Sequence, residues 1–582
     1  MTSNPGAGTM EEPLGKTDLV VRFAGEAGVV TSAESLAATA AQAGYHVQTY
    51  ATYPSQILGG PVHTQVHIST CPTLSDGDDV DVLVAFSEDG FNNHKDALVS
   101  DGVIIYNSGE FDPPGDSHSF GLPFDEIAKE VGNARASNMV VLGAIAPLSN
   151  FPLEALKDYV TKRFTRGRPG DEKIVEANSL ALDRGAEAAR TSGFHLTELD
   201  RPIRPDYEQI MISGNAAVAV GAVQGGLDFY AGYPISPATT ILVWMEQNLV
   251  GEDRFTYQAS SEIEAIGTII GAGFNGRKAM TATAGPGIAL MSEGLGFAWM
   301  AEIPCVVVDV QRGGPATGLP TKTEQSDLFA CMYPAHGDVR MPVIAPGTVE
   351  ECFYAGALAI NWAERYQGPV IVMSEMQMAE RSQNIPKPDV SKVAAVSREV
   401  YTGENGYQRY DTDELGPMPL PGGPGAYVAN ASEHDGMGDS THLPIRHIRG
   451  MERRFGKLKL LNDGPYEIEN PHAAITLMPW GGSKGTVREA YLQLRKEGVD
   501  LGWLYSMTLH PLPEAVSEEL GRKELVIVPE LNYQGQWSSL LRSDGYKATS
   551  ITQYTGLPFK VRDLVARIKQ SIEAHKGGKI LV

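Results

Sequence analysis

Short apolar runs that close on a glycine turn and hand over to a helical stretch recur along most of the chain. This alternation restricts the fold more than any other feature. Asp18-Leu-Val-Val-Arg-Phe23 is followed by the turn Gly25-Glu-Ala-Gly28 and then by the Ala-rich helical segment Val30–Gly44. Val80-Asp-Val-Leu-Val-Ala-Phe86, Val103-Ile-Ile-Tyr106 and Met139-Val-Val-Leu142 read as further buried parallel strands, because strands covered on both faces are near-continuous apolar runs. Gln209–Ile212, Leu227–Ala231, Ala279–Ala282 and Cys305–Val310 repeat the pattern, and a last set lies near Ile475, Leu501 and Leu525. Strands alternating with helices specify an α/β fold. At 582 residues the chain exceeds one core, so three doubly wound α/β domains are expected. They are 17–195, 206–445 with its C-terminal connection, and 446–582, behind a disordered tail at 1–16. Leu196–Pro205, with two prolines, reads as a linker, and Arg446, Arg449, Arg453 and Arg454 end a Pro/Gly-rich connection with little core.

The composition removes several classes of function. A net charge of -24 argues against a nucleic-acid binder, which needs a positive footprint. No apolar stretch approaches the length of a membrane span, and the N-terminal residues lack the basic start and apolar core of a secretory signal. Cys71, Cys305, Cys331 and Cys352 are far apart with no Cys-x-x-Cys pair. That fits a reducing cytoplasm and argues against a zinc or iron–sulfur site held by this chain. His63 and His67 share one strand face with no third ligand nearby, so no metal site is expected there.

Two constellations carry chemistry. In Ser260-Ser-Glu-Ile-Glu-Ala-Ile-Gly267 a helix begins. At about 100° per residue, Glu262 shares a face with Ile266, Ile269, Ile270 and Gly273, and Glu264 points the other way. Ser261 with Glu264 reads as a capping box, whereas Glu262 is either a first-turn acid favoured by the helix dipole or an acid with a task. The second constellation is a set of turns after strands: Gly214-Asn215, Gly232-Tyr-Pro234, Ala284-Gly-Pro-Gly287 and Gln311-Arg-Gly-Gly314. Ligands of open α/β sheets bind at that edge. Arg312 there is suited to fork a carboxylate or to pair with a nearby acid, and the Thr321 hydroxyl is placed to donate to the same oxyanion. A dinucleotide dehydrogenase is disfavoured, because neither Gly25 nor Gly214 opens a Gly-x-Gly-x-x-Gly run.

Tyr233-Pro-Ile-Ser-Pro237, Ser261-Glu262 with its Gly/Ala-rich helix, Thr283-Ala-Gly-Pro-Gly287 and Gln311-Arg-Gly-Gly-Pro-Ala-Thr-Gly-Leu-Pro-Thr321 together resemble the 2-oxoacid:ferredoxin oxidoreductase family. The resemblance is to an α subunit with a γ-type domain fused ahead of it. Glu433-His-Asp-Gly-Met-Gly438 and Pro529-Glu-Leu-Asn532 look like later landmarks of the family, and Gly25–Gly28 with Tyr53–Gly60 resembles the γ domain. Glu26 stands where the family usually carries Gln.

The resemblance implies a thiamine diphosphate enzyme whose central domain is of the pyrimidine-binding type and whose last domain is like the transketolase C-terminal one. Glu262 matches the acid that hydrogen-bonds N1′ of the aminopyrimidine, favouring the imino tautomer that takes the proton from thiazolium C2. Ser236, Arg312 and Thr321 match positions near the substrate carboxylate and carbonyl. Tyr233, Pro234, Ile235, Gly285 and Gly287 match the cofactor pocket. No Gly-Asp-Gly motif for the diphosphate is present. The resemblance therefore implies a β subunit that supplies the diphosphate and Mg2+ ligands and a [4Fe-4S] cluster, in (αβ)2 units, with ferredoxin as electron acceptor and coenzyme A as co-substrate. The fused layout is most similar to the 2-oxoglutarate branch, which forms succinyl-CoA and CO2 or runs in reverse as a carboxylase. Pyruvate or another 2-oxoacid as substrate, or a non-catalytic assembly subunit, are the alternatives, since fold does not fix function.

Overall fold

The computed structural model describes residues 16–26, 28–52, 62–113, 118–412 and 415–577. The Tyr53–Gly60 segment and the N-terminal tail up to Gly15 lie outside the described residues. The chain divides into two compact units between Met211 and Ile212.

In the first unit six strands lie in the order Ser119–Leu122, Leu98–Asn107, Val80–Ala85, Asp18–Gly25, Val62–Ser69, His46–Thr52. The first four are mutually parallel, and Val62–Ser69 runs antiparallel to both its neighbours. Nine residues separate His46–Thr52 from Val62–Ser69, fewer than the dozen or so a parallel crossover needs. The helix Val29–Ala43 starts after Gly28 (φ 81°) and stops at Gly44 (φ 102°), left-handed positions that favour glycine.

Met139–Leu142 is a correction to the sequence reading. These four residues are not a strand; they are buried inside the helix Ser137–Ser149. A short apolar run does not distinguish a buried strand from a buried helix. Packing against the helix Asp171–Thr191 decides it. A Cβ added to Gly143 would lie 2.1 Å from the Leu182 carbonyl oxygen, and one on Gly185 would lie 1.9 Å from that of Val140. The two helix backbones approach through paired glycines. The expected linker begins as part of this packing: Leu196 and Leu199 donate from their N–H groups to Leu148 and Ser149, and Leu199 is buried.

The second unit holds two sheets. One has seven strands in the order Thr508–His510, Val343–Ile344, Pro369–Glu375, Cys305–Gln311, Ala279–Thr283, Phe229–Gly232, Phe255–Gln258. Its paired strands are parallel except at Thr508–His510. The other has five strands, Tyr466–Glu469, Gly502–Ser506, Ile475–Leu477, Leu525–Glu530 and Ala548–Thr552, with an antiparallel first edge. The larger sheet thus takes an edge strand from the C-terminal part of the chain.

The connection read as nearly coreless carries buried arginines. Arg398 binds the Glu364 carboxylate (Nε, 2.9 Å) and the Gly273 carbonyl (2.6 Å), and Arg409 binds Gln367 (2.7 Å) and the Glu302 carbonyl (3.0 Å). Irregular backbone is tolerable inside when its polar groups are paired. The basic run forms the helix Pro444–Gly456. From there Arg453 (2.9 Å) and, just beyond it, Lys457 (3.1 Å) reach Glu302. Burial opposes ionisation of Glu302, but Lys457, Arg453 and Arg409 outweigh it and hold the carboxyl at a pKa of about 2.

Candidate active site

The C-terminal ends of Phe229–Gly232, Ala279–Thr283 and Cys305–Gln311 deliver the expected residues to neighbouring positions, because these strands are parallel and lie near one another in the sheet. Glu262 opens the helix Glu262–Phe274, and the buried residues of that helix are Glu262, Ala265, Ile266, Ile269, Ile270 and Gly273. The Ser261 hydroxyl caps it by accepting the Glu264 N–H at 3.2 Å. The return half of the expected capping box is displaced by one residue. The Glu264 carboxylate accepts from the Ser260 N–H (2.6 Å), the Ser260 hydroxyl (2.5 Å) and the Tyr257 hydroxyl (2.5 Å). Ser260 offers two donors there, whereas the Ser261 hydroxyl is committed to the helix. The Ser260 hydroxyl, followed by Tyr257, holds the Glu264 pKa at about 2.

Glu262 is different. It is 6 % exposed, and the described residues offer its carboxyl no hydrogen bond or ion pair. Beside it, a Cβ on Gly287 would fall 2.8 Å from Glu262 Cγ and 1.9 Å from Thr283 Oγ1. The glycine is required by this close approach, which brings the start of the helix Gly285–Met300 against the foot of Glu262.

Tyr233, Pro234, Ile235 and Ser236 form the turn after Phe229–Gly232, and Tyr233 and Ser236 are exposed. Asn215 supports the turn from behind, donating from Nδ2 to the Pro237 carbonyl (2.9 Å) and the Thr240 hydroxyl (2.7 Å). Arg312 reaches across from the end of Cys305–Gln311 and donates from Nη1 to the Ser236 carbonyl at 2.7 Å. It is 8 % exposed. Burial lowers its pKa and nearby Asp327 raises it. Thr321 is half-buried on the loop that returns to the strand end, where the Gly313 N–H donates to the Lys322 carbonyl (3.0 Å) and the Leu319 N–H to the Gly313 carbonyl (2.8 Å).

The structure thus links Glu262 with Gly287, and Ser236 with Arg312. Gly285 is drawn in through a residue that the sequence reading missed. A Cβ on Gly285 would lie 2.6 Å from Asp327 Oδ2. The segment around Asp327 is fixed at several points. Its own N–H donates to Gln311 Oε1 (3.1 Å), and Gln325 exchanges bonds with the Leu531 backbone (2.7 and 3.0 Å). Asn532 donates to the Gln325 carbonyl (3.0 Å) and Gln536 to that of Ser326 (2.7 Å). Pro529–Asn532 is therefore a clasp on the loop that follows Arg312. Asp309 lies behind, fully buried, with Cys331 Sγ donating to its carboxylate at 3.3 Å. Burial and the charge of Asp327 push its pKa well up. An aspartate inside the apolar run Cys305–Val310 was the available signal for this acidic cluster.

Among the described residues no group of three or more His, Cys, Asp or Glu side chains is placed to hold a metal ion. His67 is engaged by Asp18 (2.9 Å) and the Ser75 carbonyl (2.8 Å). Among the described residues no helix is long and apolar enough to cross a membrane.

Two family models match the chain. Residues 220–452 match the thiamine-diphosphate-binding region of pyruvate flavodoxin/ferredoxin oxidoreductase, and residues 20–188 match a pyruvate ferredoxin/flavodoxin oxidoreductase model. The 2-oxoglutarate oxidoreductase subunit KorA of Mycobacterium tuberculosis is 31 % identical, over 97 % of this chain and 92 % of its own length. This chain belongs to the 2-oxoacid:ferredoxin oxidoreductase α-subunit family. Within that family, the 2-oxoacid:ferredoxin oxidoreductase α subunit of Saccharolobus solfataricus is 28 % identical over 95 % of this chain and 97 % of its own. A solved 2-oxoglutarate:ferredoxin oxidoreductase from Magnetococcus marinus, with 2-oxoglutarate, coenzyme A and succinyl-CoA bound, superposes with a TM-score of 0.90 at 36 % identity. It covers 96 % of this chain and 100 % of its own.

Proposed function

We propose that this family member is the α subunit of a thiamine-diphosphate-dependent enzyme that converts 2-oxoglutarate and coenzyme A to succinyl-CoA and CO2 while reducing ferredoxin, or runs the reverse carboxylation. The observation that carries the proposal is a buried carboxyl without protein partners, Glu262, against a glycine that admits no side chain, Gly287. It lies in a chain 36 % identical to a 2-oxoglutarate:ferredoxin oxidoreductase.

These residues fit the cofactor's aminopyrimidine. A ring nitrogen would give Glu262 the partner that the protein does not, and Gly287 lets the helix start close on Glu262 and Thr283. When bound, thiamine diphosphate supplies the electron sink for decarboxylation. The protein's part is to hold a proton at Glu262 Oε and to hold the oxoacid. With the cofactor bound, Glu262 would hold N1′ through a hydrogen bond. Tyr233, Pro234, Ile235, Gly285 and Gly287 shape the pocket. Arg312, fixed on the Ser236 carbonyl, offers its remaining N–H groups to the substrate carboxylate, with Ser236 and Thr321 near that carboxylate and the keto carbonyl.

The diphosphate and Mg2+ ligands and the [4Fe-4S] cluster are assigned to a β subunit, in (αβ)2 units working in the cytoplasm with ferredoxin. The experiment is co-expression with that subunit and steady-state kinetics on a panel of 2-oxoacids. The highest kcat/KM is expected for 2-oxoglutarate; a preference for pyruvate would overturn the assignment. The isolated chain is expected to be colourless and inactive, and a brown, active lone chain would refute the division of labour.

A further inference from the structure

Lys322 has no task in the site as assembled so far. It is half-buried, and the described residues offer its ammonium no hydrogen bond or ion pair. Burial lowers its pKa, and no neighbouring acid offsets the effect. Backbone hydrogen bonds place the residue beside Arg312. The Lys322 carbonyl accepts from the Gly313 N–H (3.0 Å), the Lys322 N–H donates to the Leu319 carbonyl (3.0 Å), and the Leu319 N–H donates to the Gly313 carbonyl (2.8 Å). The loop from Gly313 to Lys322 thus closes on itself, and its last residue lies across from the residue that follows Arg312. The stem of Lys322 is supported from one side. A Cβ added to Gly556 (φ 71°) would meet Lys322 Cβ at 2.9 Å, Lys322 Cγ at 3.2 Å and Leu319 Cδ1 at 3.2 Å. The turn that carries Gly556 is itself braced. Gln553 donates from Nε2 to the Leu557 and Pro558 carbonyls (both 2.9 Å) and from its N–H to the Glu530 carbonyl (3.1 Å). Two cations therefore stand at the two ends of one closed loop: Arg312, tied to Ser236, and Lys322, with a supported stem and an unclaimed head.

We propose that Lys322 sets the preference for a dicarboxylic oxoacid: Arg312 takes the carboxylate next to the keto group, and the Lys322 ammonium takes the carboxylate at the far end of the substrate. This rests on the reading of the chain as a 2-oxoglutarate enzyme with Arg312 at the oxoacid carboxylate. The two carboxylates of such a substrate are joined by a short chain, which suits two cations brought together by one closed loop. An ammonium withdrawn from water is unfavourable without a counter-charge, and the distal carboxylate supplies it. An oxoacid of the same length that ends in a methyl group leaves the ammonium desolvated and unpaired. A site built around a polar group rejects the analogue that lacks it for this reason.

The test uses the assembled αβ enzyme with 2-oxoglutarate and with 2-oxopentanoate, which carries a methyl group where the distal carboxylate stands. Lys322→Met keeps an unbranched stem against Gly556 and removes the charge. For K322M, kcat/KM on 2-oxoglutarate is expected to fall by about 10- to 100-fold, the worth of a hydrogen bond between charged groups, mostly through KM. On 2-oxopentanoate it should not fall, which also shows that the variant is folded. Calorimetry with N-oxalylglycine, a non-decarboxylating dicarboxylate, should show a matching loss of affinity. Lys322→Arg keeps the charge and is expected to recover part of the preference. An equal fall for both substrates, unchanged kinetics on 2-oxoglutarate, or a K322R enzyme as unselective as K322M overturns the proposal. A raised KM for coenzyme A with the oxoacid preference intact also overturns it, since Lys322 would then serve the co-substrate. The wild type separates the two levels. If it prefers 2-oxopentanoate, the underlying reading of the substrate fails. If it prefers 2-oxoglutarate and K322M keeps that preference, the role of Lys322 alone fails.

Discussion

Arg312 donates from Nη1 to the backbone oxygen of Ser236 across 2.7 Å, so the end of one sheet strand is tied to the turn that follows another. The bond uses one edge of a planar fork and fixes its orientation before any ligand arrives. Lysine, a point charge on a flexible stem, cannot do both tasks. Arg312→Lys is expected to raise KM for the oxoacid by about tenfold or more, the worth of a charge-assisted hydrogen bond, with a smaller change in kcat. Steady-state kinetics of the assembled enzyme check this, and an unchanged KM would remove Arg312 from substrate binding.

Glu262→Gln replaces a carboxyl that can lose and regain a proton with an amide that cannot. Turnover is expected to fall by about 100-fold or more, as for loss of an acid–base group. The side chain has no protein partner among the described residues, so the melting temperature of the assembled enzyme should stay within a few degrees of wild type. Near-wild-type turnover would exclude Glu262 from the mechanism.

Gly287→Ala places a methyl group 1.9 Å from Thr283 Oγ1 and 2.8 Å from Glu262 Cγ. Relief requires turning the Thr283 hydroxyl away and moving Glu262, at a cost of about 1–3 kcal/mol for overpacking. Thiamine diphosphate affinity of the assembled enzyme, titrated by calorimetry, should weaken by about 5- to 150-fold. Unchanged affinity would show that the approach is not part of the cofactor site.

Glu302→Gln removes the counter-ion of Lys457 and Arg453 inside the second unit. Leaving buried charges unpaired costs about 3–5 kcal/mol. The folded-state pKa of about 2 lies below the ordinary 4.5, so the contribution of this acid is fully present above about pH 4.5 and is lost as pH falls toward 2. Denaturant midpoints should therefore separate wild type from E302Q at neutral pH and converge on acidification. A constant separation down to about pH 3 would contradict this account.

Gly143→Ala and Gly185→Ala test the helix pair that replaced a predicted strand. Each adds a Cβ within 2.1 Å of a carbonyl oxygen on the opposite helix. Each should destabilise the first unit by about 1–3 kcal/mol, visible as a lowered denaturation midpoint. Two neutral substitutions would argue against the close crossing.

The face that Glu262 occupies was legible from the helix period alone: Ile266, Ile269, Ile270 and Gly273 are buried with it, as their spacing requires. The strand-end turns were legible for the same local reason, since Gly232-Tyr-Pro234 and Gln311-Arg-Gly-Gly314 each stop an apolar run. Asp327 was not legible. Its significance depends on Gly285, 42 residues earlier in the sequence, and on a clasp from Asn532 and Gln536 some 200 residues later. Periodicity carries no information over such separations.

The sequence by itself determined which segments alternate, where they turn, and which acid lies on an apolar face, because each is set by sterics within a few residues. The tertiary structure alone decided that Met139–Leu142 is helix, that Glu264 reaches Ser260, and that Asp327 lies against Gly285. Those outcomes depend on which backbones and charges meet across the fold, and packing distance and desolvation exist only once the chain has closed on itself.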